Sequence, residues 1–125
     1  MKLFGKDHYE TLGEANNYAM SLVVLKLFEE AKSLLLKTMP VARRVLGEEH
    51  KVTLKLRWIY AAALYRDDGA TFEDLREAVT RLEELERTAR RVLGGAHPLT
   101  EVIEDSLRDA RAALRARETP SSGEA

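Results

Sequence analysis

The chain has 125 residues, 45% of them hydrophobic, which suits one domain with a core of its own. Twenty Lys and Arg face 21 Asp and Glu, a net charge of −1, and that balance argues against a basic nucleic-acid binder and against an acidic tail. There is no cysteine, so disulfides and thiolate metal sites are excluded.

The opening Met1-Lys2-Leu3-Phe4-Gly5 lacks the apolar stretch of a signal peptide, and the apolar runs Ser21 to Leu25 and Lys32 to Met39 are too short to span a bilayer. The expectation is a cytoplasmic chain whose partner is neither nucleic acid nor membrane.

The pattern predicts five helices. The first runs over about 9–25 and the second over about 28–46, with Pro40 inside the second, where it should kink the helix or shift its pairing. The third covers about 52–66. Asp67-Asp68-Gly69-Ala70 then forms a turn, and Thr71-Phe72-Glu73-Asp74 is a capping box with Asp in the place of Glu. The fourth helix covers about 72–93 and the fifth about 98–118; Pro120 to Ala125 read as a frayed, disordered tail.

The chain repeats itself. Ala-Arg-Arg-Val-Leu-Gly occurs at 42–47 and again at 89–94. His50 and His97 follow the two copies at equal distance, and Thr53 and Thr100 come three residues later. The same frame recurs as Phe4-Gly5-Lys6-Asp7-His8-Tyr9-Glu10-Thr11-Leu12, so Gly5, Gly47 and Gly94 are spaced by 42 and 47 residues. All three histidines sit at one motif position.

The chemistry explains the punctuation. A left-handed glycine ends a helix at little steric cost. Arg43-Arg44 and Arg90-Arg91 suit the negative ends of their helices. Pro98 fits a first turn, which needs no N–H donor. His50 and His97 fall near the N-caps of the helices that follow.

Phe28-Glu29-Glu30-Ala31, a leucine-rich stretch, then Arg43-Arg44-Val45-Leu46-Gly47 and His50 resemble the tetratricopeptide repeats of kinesin light chains. Their links read Leu-Gly-x-x-His-Pro-x-Thr. Thr11-Leu12 with Asn16-Asn17-Tyr18-Ala19 is similar to the family's first-helix core, and Tyr60-Ala61 with Leu64 repeats part of it. The resemblance covers about residues 4–118. It implies an all-α, right-handed helical-hairpin solenoid of about two and a half repeats, with units 4–46, 47–93 and 94–118 in a domain 1–118 and a tail 119–125.

The chain departs from that pattern in places. Lys51 stands where the link has proline, and the second unit carries five extra residues, either in the turn before its second helix or within that helix. In the third unit Arg108 replaces the small core alanine, and no second helix follows.

The fifth helix, with Glu104, Asp105, Arg108, Asp109, Arg111, Arg115 and Arg117, reads as a solvating terminal cap. Met20, Val23, Val24, Leu25 and Leu27 give the first helix an apolar end with no helix before it. Either that end packs against a partner, a second copy of the chain (a homodimer) being one candidate, or an upstream repeat belongs there in a longer relative.

In the family, the first helices of the repeats line a concave groove for extended peptides, and asparagines there bond the peptide backbone. By position Asn17 matches such an asparagine, with Asn16 beside it; the equivalent places are Ile59 and Ser106, with Trp58 and Asp105 beside them. Met20, Lys55 and Trp58 add apolar surface, charge and an aromatic anchor.

The expected partner-binding residues are therefore Asn16, Asn17, Met20, Lys55, Trp58, Ile59 and Asp105. The alternative for Trp58 is packing between the third helix and its neighbours. One histidine per link does not make the convergent set a metal needs. No nucleophile–histidine–acid set and no phosphate loop is present, so the expectation is no cofactor and no catalysis. The function implied is a scaffold or adaptor for a peptide or protein, the alternative a module that self-associates through its first helix.

Overall fold

The structure, a computed structural model, describes residues 6–118, with side chains from Glu10 onward. Five helices follow one another: α1 Lys6–Val24, α2 Phe28–Leu46, α3 Lys51–Tyr65, α4 Phe72–Leu93 and α5 Pro98–Glu118. No strand occurs among the described residues. The expected tail, Gly5 and the side chain of His8 lie outside them.

The sequence repeat is a repeat of hydrogen bonds. In both described links a histidine caps the next helix. The Val52 N–H donates to His50 Nδ1 at 3.0 Å, and the Leu99 N–H donates to His97 Nδ1 at 3.0 Å. Three residues after each histidine, a buried threonine hydroxyl reaches back to the preceding helix. Thr53 Oγ1 donates to the Ala42 carbonyl and Thr100 Oγ1 to the Ala89 carbonyl, both at 3.4 Å. The histidine thus satisfies an orphan N–H of the helix end, as Ser or Asp does elsewhere, and the threonine ties that end to its neighbour.

Gly47 and Gly94 have φ of 102° and 94°, positive as expected. Their ψ of 156° and 154° corrects the left-handed helical conformation expected of them. They occupy the extended region of positive φ that is essentially glycine-only. An added Cβ would meet nothing within 4 Å at either site, so the requirement for glycine is purely a backbone one.

The turn between α1 and α2 is built differently. The Leu27 N–H donates to the Leu22 carbonyl at 2.8 Å and the Lys26 N–H to the Val23 carbonyl at 2.9 Å, the paired bonds of a Schellman motif. The left-handed residue is Lys26, φ 64°, where glycine is usual.

Pro40 leaves α2 a single helix from Phe28 to Leu46. Pro40 and Leu36, whose carbonyl loses its N–H partner, are both exposed, so water can serve that carbonyl. The capping box before α4 is present, with Thr71 and Asp74 exchanging two bonds of 3.0 Å. The five extra residues of the second unit are distributed. The α3–α4 connection takes six residues where α1–α2 takes three, α4 has 22 residues where α2 has 19, and α3 ends one residue sooner in its unit than α1.

Each helix packs on the next, and α3 also touches α1 and α5, whereas α2 and α4 are not in contact. Helix α3 is therefore the centre of the packing, flanked by α1 and α5, which do not meet each other. Phe28, Ala31, Leu35, Thr38 and Ala42 of α2 are all buried, and so are Leu75, Ala78, Leu82, Leu85 and Ala89 at the same spacing in α4. Ala19, Ala31, Ala61 and Ala78 have no exposed surface, so the helices meet closely where side chains are small.

The two ends differ. On α5 Asp105, Arg108, Asp109, Arg111 and Arg115 are exposed, with Arg108 paired to Asp105 and Arg111 to Glu83 at 3.0 Å. On α1 the expected apolar end divides. Val23 is buried, 3% exposed, and belongs to the core, whereas Val24 and Leu25 are each 66% exposed.

Candidate functional site

The groove begins with the contacts of α3, the helix flanked by both other odd helices. Its first half carries Lys51, Lys55, Trp58 and Ile59 along one side, at the three- and four-residue spacing of a helix face. Beside them α1 contributes Asn16, Asn17 and Met20, and the start of α5 contributes His97, Pro98, Leu99 and Val102. These residues line an open groove of about 340 Å³.

Six of the seven residues expected to bind a partner therefore share one groove: Asn16, Asn17, Met20, Lys55, Trp58 and Ile59. The seventh, Asp105, lies outside it, exposed and paired with Arg108 on its own helix. The repeat register places 105 beside 58 in sequence, but α5 reaches the groove through its first turn.

That approach also brings in His97, Pro98, Leu99 and Val102, with Lys51 opposite, none of which the register selects. Pro98 and Val102, exposed on the face of an otherwise polar helix, were the available sequence signal.

Met20, Trp58, Ile59, Leu99 and Val102 supply apolar surface. Lys51 is exposed and Lys55 half-buried, and among the described residues no carboxylate lines the groove. The N-terminal end of α5 adds the positive end of its helix dipole from the same side. Together they make an apolar seat with a cationic rim.

Two polar details mark the walls. Trp58 Nε1 donates to Ser106 Oγ at 2.8 Å, so the half-buried indole packs on the core while one face borders the groove. The two readings of Trp58, packing residue and groove residue, describe the same side chain. Asn16 Nδ2 approaches Asn17 Oδ1 at 3.5 Å, and buried Asn16 Oδ1 has no hydrogen-bond partner among the described residues. A second shallow surface shares Asn17 and Met20 with the groove and continues along α1 to Ser21, Val24 and Leu25.

The described histidines are helix caps, and among the described residues no cluster of three or more His, Cys, Asp or Glu could hold a metal. No helix among them is long and apolar enough to cross a membrane. No family model, curated protein or solved structure matches the chain.

Proposed function

We propose that this chain is a non-catalytic, cytoplasmic adaptor, a tetratricopeptide-like module that binds an extended peptide or a protein segment along its odd-numbered helices. The observation that carries this reading is the single groove shared by residues of α1, α3 and α5. An apolar seat rimmed by Lys51 and Lys55 suits a segment with an apolar side chain flanked by acidic groups. The apolar group supplies burial and the charges supply orientation and encounter rate.

The test is selection of peptides from a displayed random library on the wild-type chain, followed by fluorescence polarisation with the selected sequences. Enrichment of an apolar residue next to Asp or Glu is expected. Binding should fall about 10-fold or more in the Lys51→Glu, Lys55→Glu double variant, the size of roughly 1.4 kcal/mol. Peptides that bind the double variant as well as wild type overturn the groove assignment, and so does a selection that yields none.

A second reading rests on Val24 and Leu25, each 66% exposed at the end of α1. Through them two copies associate. Sedimentation equilibrium would then show a dimer that Val24→Glu converts to monomer without loss of helix. A wild-type chain that stays monomeric at high concentration removes this alternative.

A further inference from the structure

We infer that Ser106 is a positioning residue for partner binding: it fixes the Trp58 indole as a rigid wall, so that the apolar seat beside Ile59 and Val102 exists before a partner arrives. The inference rests on the groove reading of the preceding subsection and adds a residue that does not line the groove itself.

Indole Nε1–H is a donor with no acceptor function, and in a partly buried ring it requires a partner. Ser106 Oγ is that partner at 2.8 Å, and Ser106 is only 3% exposed. Val102 stands one helical turn before Ser106, so the same face of α5 supplies both the lock on the indole and part of the seat next to it. Asn17 and Ile59, the residues at the matching place in the first two units, both line the groove. In the third unit that place lies outside the groove lining and holds a side chain of the second.

Without the hydroxyl, the indole N–H is left without its partner. The ring then gains by turning its nitrogen toward water, and the open groove that it borders is a solvated side. Partner binding would have to order the ring again. Ordering a side chain on binding costs roughly 0.5–1.5 kcal/mol, which corresponds to about a 2- to 10-fold loss of affinity.

Trp58 is the only tryptophan of the chain, so its fluorescence reports the surroundings of this one ring. In Ser106→Ala, acrylamide quenching of Trp58 should rise and its anisotropy fall, while the urea midpoint stays close to that of wild type. The library-selected peptides should bind about 2- to 10-fold more weakly. In a Trp58→Phe background, Ser106→Ala should have no further effect on peptide binding, because the donor it serves is gone.

Unchanged quenching in Ser106→Ala overturns the inference, whatever the peptide result. So does a loss of affinity that persists undiminished in the Trp58→Phe background, the mark of a purely structural serine. If selection yields no peptide, the groove reading fails by itself, and the quenching result still decides whether Ser106 holds the indole.

Discussion

Helices α1 and α3 occupy the same place in the repeat and present opposite surfaces. Along one stripe of α3, Leu56, Ile59, Tyr60 and Ala63 are at most 7% exposed. At the matching positions of α1 stand Glu14, Asn17, Tyr18 and Ser21, all exposed. The difference follows from neighbours. Among the described residues α3 packs against four helices and α1 against two.

Three of the four residues changed chemistry to suit: a carboxylate for leucine, an amide for isoleucine, a hydroxyl for alanine. Only tyrosine stayed, buried at 60 and 59% exposed at 18. The stripe of α1 is thus largely solvated, and among the described residues its large exposed apolar side chains are Tyr18 and Val24, followed by Leu25 and Leu27 in the turn.

Arginine insertion breaks this comparison most severely. Ala61 has no exposed surface, and Arg108 holds its repeat position on the exposed face of α5. Ala61→Arg combines overpacking, about 1–3 kcal/mol, with a buried unpaired charge, and should abolish cooperative folding in urea denaturation. Arg108→Ala should stay within about 0.5 kcal/mol of wild type.

Exchanging residues between the two stripes comes next. Ile59→Asn should lose about 2–4 kcal/mol, from lost burial and an amide without partners. Asn17→Ile should leave stability within about 0.5 kcal/mol and weaken binding of the selected peptides. Equal destabilisation by the two would mean that α1 and α3 share one environment.

The links allow a finer comparison with the α1–α2 turn. Gly47→Ala should cost about 1–3 kcal/mol by thermal or urea denaturation, all of it backbone strain, because there is room for the methyl group. At the turn the effect reverses: Lys26→Gly relieves a left-handed lysine and should stabilise the chain by up to about 1 kcal/mol. A stabilising Gly47→Ala would contradict the positive φ.

The helix cap allows a comparison within one residue position. His97→Ala should cost about 0.5–2 kcal/mol, and His97→Asn should restore most of it, since asparagine also accepts from a helix N–H. If Asn fails to restore it, His97 serves the groove more than the helix.

Much of the fold was legible because its signals are local. Helix ends depend on caps and on backbone conformation, which Gly47, Gly94, Thr71, Asp74 and Pro98 encode within a few residues. The second helix kept its boundaries through Pro40, because the proline falls on an exposed stripe. The groove was partly legible for another reason. Asn16 and Asn17 of α1 and Trp58 and Ile59 of α3, paired by the internal repeat, border the same groove because α1 packs beside α3. The repeat register failed at Asp105, because α5 meets the groove by its first turn rather than by its matching face.

The sequence by itself determined five helices, their order and the places where Gly47, Thr71, Gly94 and Pro98 start or stop them, since each rests on residues close in the chain or on an internal repeat. Only the tertiary structure decided that Val23 is core while Val24 is surface, that Pro98 and Val102 border the groove, and that Ser106 holds Trp58 from 48 residues away. Those assignments depend on which helix lies opposite and at what depth. That is a property of packing between segments, and no periodicity within one segment carries it.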